Sequence, residues 1–312
     1  MSVSVFIDGA AGTTGLEIAQ RLAERSEFAL ITLDDEQRKQ DRARAQAIND
    51  ADVVILCLPD DAARVAVAMI ANARTCVIDA STAHRVAPGW TYGFPELIGR
   101  DAVAAAKRVS NPGCYPTGFL ALVAPLVHAG LLPADWPYTV NAVSGFSGGG
   151  KALIARFEAE PDIAFRSYGL GLDHKHLAEM QQFAGLKHVP LFAPAVIPAY
   201  RGMVVEVPLP LAAMPGAAMP SAAAPDALRG ALTRFFADAP LVRVHQESPA
   251  ELLLQAAMPA WDGLDLYVFG AADGAQARLI AVLDNLGKGA SGAAVQTLNL
   301  MSGLEETAGL RV

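Results

Sequence analysis

The stretch that decides the fold is SVFIDGAAGTTG, residues 4–15. Its apolar first half predicts a short buried strand, and the periodicity of residues 16–25 predicts a helix directly after it. The glycines between them allow a tight turn, in which backbone N–H groups approach a pyrophosphate at the helix N-terminus. The GxxGxxG spacing is weaker than the commoner GxGxxG, so its meaning depends on the elements around it. The candidate cofactor contacts of this loop are Gly9, Gly12, Thr13, Thr14 and Gly15.

Further strand patterns follow the loop. Apolar runs predict strands at 28–33, 53–58 and 75–79, with a charged, helix-like segment between the first two. This alternation predicts an α/β fold with a Rossmann-type, doubly wound parallel sheet. A low-complexity alanine/proline loop is expected over 209–225. Strand patterns at 138–143, 191–196, 203–207, 241–244, 266–269 and 278–284 predict a second, α+β domain.

The end of the second strand bears on which nucleotide binds. Asp34 and Asp35 follow it, and an acidic residue there accepts from a ribose 2′-hydroxyl, which favours NAD. Arg38 and Lys39 come next and would meet a 2′-phosphate, which favours NADP. A charged, solvated helix end explains all four residues equally well. The residues alone leave the preference open.

A cysteine lies in the turn NPGCYPT, residues 111–117, directly before an apolar helical run. Pro116 suits the first position of a helix, where its missing N–H would be unsatisfied in any case. A thiol at that place faces the positive end of the helix dipole, which stabilises the thiolate. Cys114 is therefore a candidate nucleophile. Cys57 and Cys76 lie in apolar strand patterns, and we expect both to be core residues.

Two segments carry side chains suited to an anionic ligand. Ser81 and Arg85 follow the strand at 75–79, at the edge where ligands collect in an open α/β sheet. The loop SGFSGGGK, residues 144–151, combines serines, exposed N–H groups and a lysine. A flexible loop without function would explain its glycines but not its serines and lysine.

A third segment carries His174, His176 and Glu179. His-x-His points both rings the same way only on a strand, and no third soft ligand stands nearby, so we expect no metal site. Two histidines with a carboxylate favour an acid/base group instead.

Composition excludes several classes of protein. A net charge of −8 argues against a nucleic-acid-binding surface. The longest apolar run, 118–132, is interrupted by Pro125 and His128 and is too short to span a bilayer. The N-terminus lacks the basic and apolar regions of a signal peptide. Three widely spaced cysteines form neither a disulfide framework nor a metal pattern. Together with the missing membrane span and signal peptide, this spacing leads us to expect a cytoplasmic protein without a membrane partner.

The cysteine turn and the glycine loop together resemble those of N-acetyl-γ-glutamyl-phosphate reductases, within the aspartate-semialdehyde dehydrogenase-like superfamily. The resemblance continues in YGFPE (92–96), SGFSGGGK (144–151), HKH (174–176), Arg201-Gly202 and DNLGKGA (284–290), and so covers nearly the whole chain in order. The short spacing between the second and third strands resembles the shorter, type 2 form. Aspartate-semialdehyde dehydrogenases place the cysteine directly after asparagine, whereas Pro112 and Gly113 intervene here.

The resemblance implies NADPH-dependent reductive dephosphorylation of N-acetyl-γ-glutamyl phosphate to N-acetylglutamate 5-semialdehyde, a step of arginine biosynthesis. It implies a thioester on Cys114 and a histidine acid/base, for which both His174 and His176 are candidates. Arg38, Ser81, Asn285 and Lys288 would contact the NADP cofactor, with NAD as the alternative. The candidate contacts to the acyl phosphate and to released phosphate are Arg85, Asn111, Ser144, Ser147, Lys151, Glu179 and Arg201.

The same resemblance implies a domain division. Residues 1–113 and 285–312 would form the dinucleotide-binding domain, and residues 114–284 the catalytic, substrate and dimerisation domain of a homodimer or homotetramer. Two other functions stay open. One is reduction of a related acyl phosphate, such as aspartyl or aminoadipyl phosphate. The other is a non-catalytic, nucleotide-binding regulatory protein.

Overall fold

The structure is a computed structural model that describes residues 2–215 and 223–312. The chain forms two compact units. Unit 1 comprises Met1–Gly113 and Ala290–Leu310, and unit 2 comprises Cys114–Gly289 and Arg311–Val312. None of the helices in the described ranges is long and apolar enough to cross a membrane.

Unit 1 contains a six-stranded sheet, in which every paired neighbour is parallel. The strand order is β2-β1-β3-β4-β6-β5. The strands are β1 Val3–Asp8, β2 Phe28–Ile31, β3 Val53–Leu56, β4 Cys76–Asp79, β5 Thr91–Tyr92 and β6 Arg108–Ser110. The helices are α1 Thr13–Leu22, α2 Asp41–Asp50, α3 Asp60–Ala68, α4 Pro95–Ile98, α5 Arg100–Ala104 and, from the end of the chain, α10 Gly292–Met301.

Helices cover both faces of this sheet. Val5 and Ile7 of β1 point to one face, where Ile18 of α1 and Val295 of α10 complete a buried cluster. Phe6 points to the other face and packs with residues of α2 and α3. The alternation follows from the two-residue period of a strand, and a sheet buried on both faces is what the near-continuous apolar runs require. The predicted doubly wound parallel sheet is confirmed.

Unit 2 contains a seven-stranded mixed sheet of order β11-β12-β13-β10-β7-β9-β8. The strands are β7 Thr139–Gly145, β8 Arg166–Ser167, β9 Leu191–Ile197, β10 Met203–Leu209, β11 Val242–Val244, β12 Leu264–Gly270 and β13 Ala277–Leu283. The helices are α6 Cys114–His128, α7 Gly150–Ala159, α8 Leu177–Phe183 and α9 Ala224–Phe235. Mixed strands with separate helices confirm the predicted α+β domain.

Two sequence-based expectations need correction. Helix α6 begins at Cys114 itself, so Pro116 is its third residue and not its first. A proline is tolerated throughout the first turn of a helix, because the N–H groups there have no intrahelical acceptor. The loop expected over 209–225 begins after β10 ends and gives way to α9 at Ala224; residues 216–222 lie outside the described residues.

The second predicted domain boundary lies between residues 284 and 285. Residues 285–289 group with unit 2, because Asn285 and Gly289 make their hydrogen bonds there, to Gly202, Ser147 and Asp284.

Cys57 and Cys76 lie at the edge of the unit 1 core and are only partly buried.

Helix α6 packs so closely on its sheet that Gly118 has no room for a side chain. A Cβ at Gly118 would lie 2.8 Å from Cγ2 of Val205 on β10 and 3.3 Å from Cβ of Ala281 on β13. Gly230 of α9 is also helical, but a Cβ there would meet only the flexible end of Arg234, at 3.4 Å. The two glycines therefore serve as a matched pair.

Replacing these glycines by alanine should shift stability in opposite directions. Gly118→Ala overpacks the α6 interface, which costs about 1–3 kcal/mol before a gain of about 1 kcal/mol in helix propensity. Gly230→Ala should gain about 0.5–1 kcal/mol from propensity alone. Thermal unfolding midpoints measure both, at about 2–4 °C per kcal/mol in a domain of this size. Equal shifts for the two variants would contradict the close packing of α6.

Candidate active site

The glycine loop of unit 1 joins β1 to α1. Gly9 adopts φ +92°, and a Cβ there would lie 2.3 Å from the Cys57 carbonyl oxygen. A Cβ at Gly15 would lie 2.5 Å from the Gly9 carbonyl oxygen. These two glycines are thus required by the chain's own packing. At Gly12, the residue before α1, the nearest atom to a Cβ would be 3.4 Å away. The protein itself therefore does not require a glycine there, and the space beside Gly12 is open to a ligand.

A cavity of about 360 Å³ lies beside this loop. Its wall includes Gly9, the end of β2, and two arginines, Arg38 and Arg44. Arg44 of α2 donates to Asp8 at 2.8 Å, and this hydrogen bond raises the pKa of Arg44. The sequence did not predict a role for Arg44, because several charged residues lie on the same helix and no pattern distinguishes the one that faces the cavity.

The acidic residues after β2 are occupied by their own turn. Asp34 Oδ1 accepts the N–H groups of Glu36 and Gln37 at 2.9 and 2.8 Å, which caps the 3-10 turn at Gln37–Lys39. Asp35 is exposed and pairs with Arg38. One oxygen of the Asp34 carboxylate, Oδ1, is therefore engaged by the backbone, and these two bonds do not use Oδ2.

A polar cluster follows β4. Asp79 is buried, and its carboxylate accepts the Ser81 N–H at 2.9 Å and the Ser81 hydroxyl at 2.7 Å. It also contacts His84 Nδ1 at 2.6 Å. Arg85 is also buried, and its Nε donates to the Asn111 carbonyl at 3.0 Å. Asn111 in turn donates to the Ala290 carbonyl at 3.1 Å. These bonds anchor the segment that leads into Cys114, so Ser81, Arg85 and Asn111 have a clear structural role in unit 1.

Cys114 is the first residue of α6 and is half-buried. A Cβ at Gly289 would lie 2.8 Å from the Cys114 Cβ, so only glycine allows this approach. The other two thiols differ: burial, with the charges of Asp79 and Asp8, raises the pKa of Cys57 to about 12, and burial also raises the pKa of Cys76. Cys114 instead occupies a helix N-terminus, where the dipole stabilises a thiolate.

Two tyrosines lie beside Cys114. Tyr168 donates its hydroxyl to that of Tyr115 at 3.2 Å, and Tyr115 donates to the Ala195 carbonyl at 3.2 Å. Burial raises the pKa of Tyr168 to about 12 and that of Tyr115 well above its usual range. A negative charge on Cys114 raises both further. Both phenols therefore remain neutral donors next to the sulfur, a feature that sequence reasoning did not identify.

The two histidines join this cluster. Their ring centroids are 4.6 Å apart, and that of Tyr115 lies 6.1 Å from His174 and 5.9 Å from His176. His174 Nδ1 accepts the backbone N–H of His176 at 3.2 Å. An imidazole that accepts at Nδ1 is neutral and carries its proton on Nε2. His176 and Glu179 are buried, so the structure brings all three residues of this motif into the unit that holds Cys114.

The serine/lysine loop spans the end of β7 and the start of α7. Ser144 donates to the Gly145 carbonyl at 3.0 Å, and Ser147 accepts from Asn285 at 2.9 Å. Lys151 is exposed in the first turn of α7. Arg201 pairs at 2.7 Å with Asp284, which is fully buried.

Asn285 and Lys288 were expected at the cofactor. The structure places both in unit 2, and Asn285 bonds to Ser147 and Gly202, next to residues expected at the substrate. No group of histidine, cysteine, aspartate and glutamate side chains in residues 2–215 and 223–312 is arranged to hold a metal ion.

Family models match both halves of the chain. Residues 4–106 match the semialdehyde dehydrogenase NAD binding domain, and residues 114–285 match the semialdehyde dehydrogenase dimerisation domain. The matched domains support dinucleotide binding and an oligomer.

Relatives match along nearly the whole chain. A Nostoc sp. protein named N-acetyl-gamma-glutamyl-phosphate reductase 2 is 46% identical over 98% of each chain. A Pseudomonas putida protein of the same name is 48% identical over 96% of each chain. A Burkholderia cenocepacia protein named N-acetyl-gamma-glutamyl-phosphate reductase is 48% identical over 98% of this chain and 99% of its own.

Solved structures share the fold. Aspartate semialdehyde dehydrogenase II from Vibrio cholerae superposes with a TM-score of 0.69 at 17% identity, over 96% of this chain and 98% of that one. The Candida albicans aspartate semialdehyde dehydrogenase gives a TM-score of 0.61 at 14% identity, over 96% and 99%.

The glycine loop makes a testable distinction between packing and ligand contact. Gly12→Ala should leave the melting midpoint unchanged but weaken NADPH binding about 10- to 100-fold, because the added methyl group would hold an anion away from the backbone N–H groups. Gly9→Ala should lower the melting midpoint with or without NADPH, because its side chain would meet the Cys57 backbone. Fluorescence titration and thermal melts measure the two effects. The interpretation fails if Gly12→Ala binds NADPH as the wild type does.

Proposed function

The chain belongs to the N-acetyl-γ-glutamyl-phosphate reductases, oxidoreductases of the semialdehyde dehydrogenase family, and on that premise we propose how its residues carry out the reaction. The substrate is N-acetyl-γ-glutamyl phosphate and the product is N-acetylglutamate 5-semialdehyde. The observation that supports the proposal best is the cluster of Cys114, Tyr115, His174 and His176 at the start of α6.

The reaction begins at the sulfur of Cys114. The thiolate attacks the acyl carbon, the carbon–sulfur bond forms, and the carbon–oxygen bond to phosphate breaks, which releases phosphate and leaves a thioester. Backbone N–H groups in the first turn of α6 would stabilise the oxygen that becomes negative during this attack. A bound nicotinamide dinucleotide supplies the hydride that reduces the thioester. Collapse of the resulting thiohemiacetal returns the thiolate and releases the aldehyde.

We assign the acid/base role to His174. Its Nδ1 accepts the His176 N–H, so its neutral form presents an N–H at Nε2, ready to donate to a developing alkoxide. His176 supports it from the following turn: its ring packs edge-on to His174, and its backbone fixes the His174 tautomer.

The nicotinamide dinucleotide fits the glycine loop and the cavity beside it. The loop leaves space at Gly12 for a pyrophosphate, and the cavity wall carries Arg38 and Arg44. Two guanidinium groups suit a 2′-phosphate, so we propose NADP over NAD. We further propose a cytoplasmic homodimer or homotetramer, in line with the matched dimerisation domain.

One assay tests substrate, cofactor and nucleophile together. The purified protein is given N-acetylglutamate 5-semialdehyde, inorganic phosphate and either NADP⁺ or NAD⁺, and absorbance at 340 nm is followed. We expect phosphate-dependent reduction that is faster with NADP⁺. Cys114→Ser should abolish most of this activity, because an alcohol is a far weaker nucleophile than a thiolate at neutral pH. Near wild-type turnover by Cys114→Ser would overturn the covalent mechanism.

Separate replacement of the two histidines tests their assignment. His174→Asn should lower kcat by about 10²–10⁴-fold, the usual span for lost acid/base catalysis. His176→Asn keeps the backbone N–H that bonds His174, so its effect should be much smaller. The pH dependence of kcat for each variant provides the second readout. A larger loss for His176→Asn would reverse the assignment, and equal small losses would remove both residues from it.

A further inference from the structure

The last residue of β1 is a carboxylate on the wall of the cavity beside the glycine loop. Side chains of β1 alternate between the two faces of the sheet, so Asp8 lies on the same face as Phe6, which packs with residues of α2 and α3. Asp8 is 5% exposed and lines the cavity of about 360 Å³. A buried carboxylate is costly unless it is paired, and helix α2 supplies the partner.

That partner is Arg44, whose guanidinium binds Asp8 through two of its nitrogens. Nη2 donates to Asp8 Oδ2 at 2.8 Å, and Nε donates to the same oxygen at 3.2 Å. The remaining nitrogen, Nη1, donates to Asp41 at 3.3 Å. The Asp41 side chain is 79% exposed, so water competes for this last bond. Asp8 therefore fixes the guanidinium, while Nη1 keeps a bond that an incoming anion can replace.

Arg38 lines the same cavity but is held less firmly. It lies in the 3-10 turn Gln37–Lys39 and pairs with Asp35, and both side chains of this pair are exposed. An exposed ion pair does little to fix a long side chain. Of the residues that the structure describes, the charged ones on the cavity wall are Asp8, Arg38 and Arg44. Arg44 is thus the cation of that wall whose position a buried carboxylate determines.

The buried pair decides where the Arg44 guanidinium lies. A partly buried charge without a partner is costly, so without Asp8 the flexible arginine would extend into solvent. An arginine in solvent must be ordered again before it can bind an anion, which costs free energy at the moment of binding. With Asp8 present, that ordering is already complete in the folded protein.

We propose that Asp8 is a positioning residue that holds Arg44 at the cavity as a specificity-determining contact to the 2′-phosphate of NADP. This rests on the proposed function, in which the dinucleotide occupies this cavity and NADP is preferred over NAD. It adds a second cation, on α2, to the contact expected at Arg38. NAD lacks the 2′-phosphate, so the pair should affect the binding of NADP alone.

The two carboxylates that bond to Arg44 provide a matched pair of variants. Asp8→Asn removes the buried charge at nearly constant size, and Asp41→Asn removes the exposed one. Fluorescence titration gives the dissociation constants of NADPH and NADH for each protein. Asp8→Asn should lower the preference for NADPH about 2- to 10-fold, the cost of ordering one flexible side chain on binding. Asp41→Asn should keep the wild-type preference, because its bond to Arg44 is exposed.

The double variant Asp8→Asn/Arg44→Met tests whether Asp8 acts through Arg44. Arg44→Met should lower the preference for NADPH about 10- to 100-fold, through lost bonds to a charged group. The double variant should show the same loss and no more. Thermal melts establish that each variant is folded. If Arg44→Met does not fold because Asp8 has lost its partner, the double variant, which removes both charges, is compared with the wild type and should show the full loss.

Four outcomes would overturn the proposal. A stronger preference for NADPH in Asp8→Asn would mean that the carboxylate competes with the phosphate for Arg44. An unchanged preference, with or without equal weakening of NADPH and NADH, would mean that the pair serves only the fold. An equal loss in Asp41→Asn, or a further loss in the double variant, would mean that Asp8 does not act by holding Arg44. A wild-type protein that binds NADH as tightly as NADPH would instead contradict the proposed preference for NADP.

Discussion

The approach of Gly289 to Cys114 is the constraint on which the chemistry of unit 2 depends. Cys114 is the first residue of a buried helix, and a side chain at residue 289 would meet its Cβ at 2.8 Å. The backbone of 284–289 can therefore lie directly against the sulfur-bearing residue. Since Arg201 and Ser147 are bonded to Asp284 and Asn285 of that segment, one stretch of backbone positions the nucleophile and two candidate substrate contacts.

Burial of charge in this segment is compensated bond by bond. Asp284 is fully buried, yet its carboxylate accepts from Arg201, from the Trp261 N–H and from the Leu286 N–H. An isolated buried carboxylate would be costly, and loss of any one partner would leave it under-bonded. These bonds also hold the donor groups of the network in place. Donors that are already in place need little reorganisation when a charge develops nearby.

Local patterns predicted most of the fold, and long-range contacts account for most of what they missed. Strands such as Val53–Leu56 are buried on both faces, so their apolar runs stand out in the sequence. The helix start at Cys114 was missed because Pro116 is acceptable at several first-turn positions. The partners of Asn285 lie 83 and 138 residues away, and no spacing rule reaches that far. Arg44 was missed for the same reason, since it meets Asp8 from a helix 36 residues later.

The unequal settings of the three thiols have a consequence for oxidative chemistry. Oxidants such as peroxides react with thiolates, and burial keeps Cys57 and Cys76 protonated by raising the pKa of each. Cys57 also adjoins the glycine loop, since its carbonyl oxygen would lie 2.3 Å from a Cβ at Gly9. The raised pKa therefore lowers the reactivity of a thiol next to the glycine loop of unit 1. Of the three thiols, we expect Cys114 to be oxidised first, and a sulfenic acid there can still be reduced by another thiol.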